Sequence, residues 1–146
     1  MAYQTITTTE ERRLAGRRAL IERRQGPAFQ AYSLLYFVYI VAPIVAGLDK
    51  FFHYLVDWNI YVSPTYANVV GGNVGLMMEG VGIVEIVAGL LVATKPSVGG
   101  YVVAVWMWGI IANLLLIPGY FDIALRDFGL SLGALALARL AGEFGR

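Results

Sequence analysis

Several ionisable residues lie inside or at the edges of long apolar stretches, where an isolated charge is costly and needs an explanation. They are Asp49, Lys50, Glu79, Glu85, Asp122, Arg126 and Asp127. Side chains of these types, held away from water, can form ion pairs, hold and pass protons, or bind the polar part of a ligand. Their arrangement therefore decides which chemistry is open to the chain.

Two interpretations of these residues follow from their spacing. The first is an ion-pair network that holds helices together, in which Glu79 pairs with Arg126 at a similar depth and Asp122, one turn before Arg126, is a second candidate partner. Asp127 could meet Lys50, and Asp49 could join them. The second is a polar pocket that opens outward and holds a quinone headgroup, a small anion or a proton path.

Glu85 is the most isolated of the carboxylates. Six residues separate it from Glu79, which places the two roughly 120° apart on a helix, so they do not form a pair on one face. No basic residue is expected at the depth of Glu85, and Asn113 is expected to lie too near the end of its helix to reach it. Glu85 is predicted to be either a buried neutral acid or a proton carrier.

A quinone headgroup would find hydrogen-bonding groups at Asp49, Lys50, His53 and Arg126. His53 could instead be a polar residue at the membrane interface, or an axial ligand to a cofactor of a partner protein. The chain has one histidine and no cysteine, which excludes zinc sites built from several His or Cys ligands and bis-histidine haem within one chain. We expect no metal, no covalently bound cofactor and no nucleic-acid partner, leaving quinone or a structural lipid as ligands.

The elements that must position these residues are long apolar helices. The chain of 146 residues is 58% hydrophobic and 14% charged, whereas soluble domains carry about 25% charged residues. Four stretches match the roughly 20 residues that cross a bilayer; they cover about 27–48, 73–93, 98–117 and 120–140. The fold class is therefore predicted to be all-α, a four-helix transmembrane bundle over residues 27–141, with a tail at 142–146.

Residues 1–26 are predicted to form a cytoplasmic arm with a short amphipathic helix from about Glu10 to Gln25. Its basic residues are Arg12, Arg13, Arg17, Arg18, Arg23 and Arg24. Such a helix either docks on anionic lipid or an acidic partner, or acts as a topology signal. The connection 51–72 is aromatic-rich and could contain a short helix before Ser63.

The distribution of basic residues predicts the orientation. Nine of the 11 Lys and Arg residues would lie on the side of both termini: the six arginines of the arm with Lys95, Arg139 and Arg146. By the positive-inside rule both termini are cytoplasmic, and we expect a multi-pass protein of the bacterial inner membrane.

Glycines predict where the helices approach each other closely. Gly75, Gly82 and Gly89 recur every seven residues in the second span, and Gly129 and Gly133 form a small-xxx-small pair in the fourth. Small residues at such spacing favour close helix packing, within the bundle or against another subunit.

The stretches AGLDKFF (46–52), VEIVAGLLVATKP (84–96) and LLLIPGYFDIALRDFGLSLGALALARL (114–140) resemble the DoxX family of small four-span bacterial membrane proteins. Lys50, Glu85, Gly89, Asp122, Arg126 and Asp127 carry the resemblance, which covers roughly residues 30–141. The arginine-rich helix lies outside the usual pattern of the family. The resemblance implies a small partner of other membrane proteins, in some members linked to quinone-coupled oxidation or to oxidative-stress complexes.

Three functions are compatible with these observations. The first is a non-catalytic accessory subunit of a larger membrane complex of the redox or energy-converting kind, docked through the arginine-rich helix and glycine faces. The second is a quinone-interacting subunit of a membrane oxidoreductase. The third is a small-solute or proton carrier that uses Glu79 and Glu85. Catalysis by this chain alone is not expected.

Overall fold

The computed structural model describes the backbone of residues 2–145 and the side chains of residues 9–24 and 26–145. All regular structure in these residues is helical. The α-helices are α1 (Ala2–Gln25), α2 (Pro27–Phe52), α3 (Pro64–Val69), α4 (Val74–Thr94), α5 (Pro96–Leu115) and α6 (Phe121–Phe144), and a 3₁₀ helix covers Trp58–Tyr61. The all-α prediction is confirmed.

Helices α2, α4 and α5 are each long and apolar enough to cross a membrane. Helix α6 has a similar length of 24 residues. It carries three charged residues near its start and two near its end, namely Asp122, Arg126, Asp127, Arg139 and Glu143. Composition alone therefore supports three membrane-spanning helices, and α6 completes the bundle through its packing.

The four long helices form two tight pairs. Helix α2 packs mainly on α4, and α5 packs mainly on α6, while α4–α5 and α2–α6 contacts are sparser. Proline starts α2 and α5 at Pro27 and Pro96, where its missing N–H costs nothing. Because successive helices run in opposite directions, the halves of the four helices form two distinct ends.

The closed end consists of the first halves of α2 and α5 and the second halves of α4 and α6. Its core is the apolar cluster Tyr32, Tyr39, Ala88, Val92, Val103, Ala104, Ala134, Leu137 and Ala141. The side chains of Val92, Ala134 and Leu137 are fully buried. The opposite end, which we call the open end, contains the connection between α2 and α4 and most of the charged residues of the four long helices.

Glycines allow close approach at only some of the predicted positions. A methyl group at Gly82 would lie 2.7 Å from the Gly47 carbonyl oxygen, and one at Gly89 would lie 2.9 Å from the Ile40 carbonyl oxygen. A methyl at Gly133 would collide with the Tyr39 hydroxyl. These three positions are packing sites, as small residues at helix crossings allow.

Gly75 and Gly129 are not packing positions within the bundle, although both were predicted as packing glycines. A methyl at Gly75 would meet only Asn73, and one at Gly129 would meet nothing within 4 Å. The seven-residue period brings Gly75 beyond the region where α2 lies against α4. Gly47 and Gly100 were missed; a methyl at Gly100 would lie 2.8 Å from the Ala134 carbonyl oxygen.

The N-terminal helix differs from its prediction in length and character. Helix α1 begins at Ala2 rather than near Glu10, because the polar residues before Glu10 include no glycine or proline that would stop a helix. Its apolar residues do not gather on one side, so it is not amphipathic. Residues 9–24 are all exposed, and Arg146, counted in the tail, lies outside the described residues.

The connection between α2 and α4 is anchored to α5. Asn113 donates from Nδ2 to the Tyr61 carbonyl at 2.5 Å and accepts from the Ser63 backbone N–H at 2.9 Å. Ser63 in turn caps α3 by accepting from the Tyr66 N–H. A short helix before Ser63 is confirmed as the 3₁₀ turn Trp58–Tyr61. Buried Asn113 thus holds the connection over the open end.

Candidate functional site

The centre of the open end is a buried ion pair between α2 and α4. Lys50 Nζ lies 2.6 Å from Glu85 Oε2, and the two residues are 3% and 8% exposed. Lys50 Nζ also lies 3.4 Å from the Ala46 carbonyl oxygen. The prediction that no basic residue reaches Glu85 is therefore wrong, and so is the proposed contact between Lys50 and Asp127.

The direction of helical side chains explains this pairing. Helix α2 continues to Phe52, beyond the expected end at residue 48. The Cβ of Lys50 lies close to Gly82, about one helical turn from Glu85. A helical side chain leans towards the N-terminus of its helix, which for Lys50 is towards the centre of the bundle. Its four-carbon stem then covers the remaining distance to Glu85.

Trp58 connects this pair to a second buried carboxylate, Asp49. The Lys50 Nζ lies 3.8 Å from the centre of the Trp58 ring, a cation–π contact. The Trp58 Nε1–H donates to Asp49 Oδ2 at 2.7 Å. The backbone N–H groups of Tyr54 and Leu55 donate to Asp49 Oδ1. Asp49 is thus fully engaged in holding the connection against the bundle.

A cavity of about 380 Å³ lies between the two helix pairs at this end. Every long helix of the bundle contributes to its wall, and so does the connection. The aromatic residues of the wall are Tyr39, Trp58, Tyr61 and Trp106, and the ionisable ones are Glu85, Arg126 and Asp127. The rest of the wall is mainly aliphatic, so the cavity is apolar with a few polar groups, as in many small-molecule sites.

Glu85 and Trp106 also face a second, smaller cavity of about 160 Å³, which Lys50, Tyr66 and Asn113 help to line. The Trp106 Nε1–H is buried and has no hydrogen-bond partner of normal length among the described atoms, and the Glu85 carboxylate is a candidate acceptor at a longer distance. A buried donor without an acceptor is uncommon and costs free energy. Trp106 is therefore a candidate for donation to a bound molecule.

Asp127 and Arg126 contribute opposite charges to the large cavity. Arg126 pairs with Asp122 at 3.2 Å in a contact whose side chains are 68% and 72% exposed. This agrees with the second of the two predicted partners and not with Glu79. Asp127 is half-buried and makes no ion pair or hydrogen bond within the described chain. It is close enough to Glu85 to interact with it electrostatically.

Five of the predicted site residues do not line the large cavity, namely Asp49, Lys50, His53, Glu79 and Asp122. Of these, Lys50 lines the smaller cavity. His53 is exposed and ends α2 in a left-handed conformation with φ of 55°, donating its backbone N–H to the Asp49 carbonyl at 2.7 Å. Glu79 is exposed on α4 and forms no ion pair within the described chain. Glu79 and Glu85 therefore do not share a path through the bundle.

The arrangement suits an apolar ring with polar oxygen atoms better than an ion. Residues 9–24 and 26–145 contain no cluster of three or more His, Asp or Glu side chains that could hold a metal ion. The cavity instead offers aromatic surface, one unsatisfied N–H donor and carboxylate acceptors. Trp58 and Trp106 were missed as site residues. An aromatic residue in an apolar helix, such as Trp106, or in an aromatic-rich connection, such as Trp58, gives no signal in the sequence that separates a cavity wall from core packing or from the membrane interface.

Comparison with known proteins leaves this geometry as the main guide to function. No protein-family model, curated protein or solved structure matches the chain.

Proposed function

We propose that the protein is an integral membrane protein that binds a quinone-class ring in its central cavity and serves as a quinone-interacting subunit of a membrane oxidoreductase. The observation that carries the proposal is the cavity of about 380 Å³ among four helices, walled by aromatic residues and by Glu85, whose carboxylate is paired with Lys50. Ligand pockets typically have volumes of about 300–1,000 Å³ and a mainly apolar wall with a few placed polar groups.

Each part of the wall corresponds to a part of such a ligand. The indole and phenol rings of Trp58, Trp106 and Tyr61 provide flat apolar surface for a planar ring. The polar groups at Trp106, Glu85 and Asp127 are available to the ring oxygens. The cavity is lined by helices that expose apolar side chains to the bilayer, so that an isoprenoid chain could leave it into lipid.

The proposal includes a four-span topology, with α6 as the fourth span and both termini in the cytoplasm of a bacterial cell. It agrees with what the resemblance to the DoxX family implies, and membership in that family is part of the proposal. His53 is left out of the headgroup site and Arg126 is placed at its rim, because His53 does not face the cavity and the Arg126 side chain is 68% exposed.

Filling the cavity tests this function. The Ala46→Phe variant places a ring into the cavity wall, whereas Val45→Phe places it at a neighbouring position that is 47% exposed and outside the cavity. We expect quenching of tryptophan fluorescence by a short-chain ubiquinone analogue in the wild type and in Val45→Phe, and loss of this quenching in Ala46→Phe. Equal quenching in all three proteins, or none in the wild type, would refute the proposal.

A second function, that of an accessory subunit, is favoured by a separate observation. Helix α1 contacts the bundle through Arg23, which pairs with Glu143 at 2.8 Å and lies over the Phe144 ring. The other arginines of the helix, from Arg12 to Arg24, are exposed. A helix with this many unshielded charges suits docking to an acidic surface.

Native mass spectrometry of the full chain, extracted from its own membrane in mild detergent, separates the two functions. A reproducible assembly with other subunits, lost when the five arginines other than Arg23 are replaced by Gln, supports docking through α1. A protein that is monomeric and retains its activity alone excludes the accessory role. A carrier function has no support in the geometry, because Glu79 and Glu85 face different surroundings.

A further inference from the structure

We propose that the cavity selects the reduced, hydroquinone form of its ligand over the quinone form. The inference rests on the proposed quinone function and adds the redox state that the site prefers. It follows from the hydrogen-bonding capacity that the cavity wall leaves unused.

The unused acceptors belong to two carboxylates on opposite helices. Asp127 on α6 has no hydrogen-bond donor or ion-pair partner within the described chain. Glu85 on α4 uses Oε2 for Lys50, which leaves Oε1 without a hydrogen bond. Both carboxylates face the large cavity. The wall therefore presents carboxylate oxygens that a bound donor could satisfy.

The unused donors are fewer. Trp106 Nε1–H makes no hydrogen bond of normal length, and its candidate acceptor at a longer distance is Glu85. Arg126 donates to Asp122 and its side chain is 68% exposed, so its remaining N–H groups lie at the rim of the cavity. The Tyr39 hydroxyl already donates to the Leu130 carbonyl.

A hydroxyl can use both the donor and the acceptors of the wall, whereas a carbonyl can use only the donor. A phenolic O–H can donate to a carboxylate while its oxygen accepts from Trp106, whereas a quinone oxygen can only accept. A quinone oxygen beside an ionised Glu85 or Asp127 would face another acceptor with no proton between them. The apolar remainder of the wall keeps water from relieving that mismatch, and an unmatched polar group in such a place is costly.

The test uses the full chain in lipid nanodiscs under anaerobic conditions, at one fixed, mildly alkaline pH. The dissociation constants of a short-chain ubiquinol and its ubiquinone are measured by quenching of tryptophan fluorescence. Hydrogen bonds to charged groups contribute about 1.5–3 kcal/mol, so the ubiquinol should bind roughly tenfold or more tightly. We expect Asp127→Asn to bring the two constants close together. The matched control Asp122→Asn, outside the cavity on the same helix, should keep the preference.

A measurement without variants provides an independent test. Tenfold tighter binding of the reduced form raises the midpoint potential of a two-electron couple by about 30 mV. Equal binding of the two forms by the wild type, an unshifted potential, or a preference that survives Asp127→Asn would overturn the inference and leave the proposed function standing. Failure of both forms to bind would remove the proposed function itself.

Discussion

The two ends of the bundle are built from the same four helices and are stabilised in different ways. At the closed end, small residues let α5 and α6 meet closely around fully buried Leu137 and Val92. At the open end, the helices separate around a cavity and are held by the Lys50–Glu85 pair and the hydrogen bonds of Asp49 and Asn113. The comparison shows that this protein concentrates apolar packing in one half and polar chemistry in the other.

The largest expected effect comes from breaking the buried pair of the open end. Replacing Lys50 with Met leaves the Glu85 carboxylate buried without its cation, which should lower the free energy of unfolding by about 3–5 kcal/mol. Unfolding in mixed detergent micelles measures the loss. The double variant Lys50→Met with Glu85→Gln should recover part of it, because no charge is then left uncompensated.

The control for this prediction is Lys95→Met at the closed end, where Lys95 is exposed and forms no ion pair in the described chain. Its stability should remain within about 0.5 kcal/mol of the wild type. A loss from Lys50→Met no larger than this would show that the open end does not depend on the pair.

A smaller effect is expected from crowding the closed end. A methyl at Gly100 would lie 2.8 Å from the Ala134 carbonyl oxygen and 2.9 Å from the Ala138 Cβ. Gly100→Ala should therefore destabilise the protein by about 1–3 kcal/mol. Gly129→Ala, at a position with nothing within 4 Å, should be neutral or slightly stabilising because alanine favours helix. Equal losses in both variants would contradict the division into a tight end and an open end.

The smallest effect should come from the exposed ion pair at the rim of the cavity. Arg126→Gln removes the partner of Asp122, and because both side chains are largely exposed, the free energy of unfolding should fall by less than about 1 kcal/mol. The same micelle experiment measures it. A loss comparable to that of Lys50→Met would mean that Arg126 belongs to the buried network.

The helices could be predicted from the sequence because a long apolar run in a chain with few charges has few alternatives. Pro27, Pro96 and the turn around Pro118–Gly119 set boundaries that the structure reproduces to within a few residues. The start of α1 was predicted near Glu10, whereas the helix begins at Ala2. No residue before Glu10 breaks a helix, so the sequence contains no signal that marks the true start.

The sequence could identify which residues belong to the candidate site but not how they pair. Glu85, Lys50, Arg126 and Asp127 were identified as candidates, yet their pairing depends on the register between α2 and α4. That register is set by the contact of Gly47 with Gly82, which one sequence does not reveal. The prediction also placed each charge at the depth of its own Cα and left out the length of the Lys50 side chain. For this reason Glu85 was expected to have no basic partner.

One further consequence concerns the contact between the start of α2 and the end of α6. The Phe29 and Phe144 rings lie 5.6 Å apart, so the four long helices form a closed circuit in space although the polypeptide is linear. In a chain without α1, a short linker could join these two segments and would leave every pair of the four long helices intact. The bundle is thus a natural scaffold for backbone cyclisation, in which the entropy of the unfolded chain is reduced without altering the cavity.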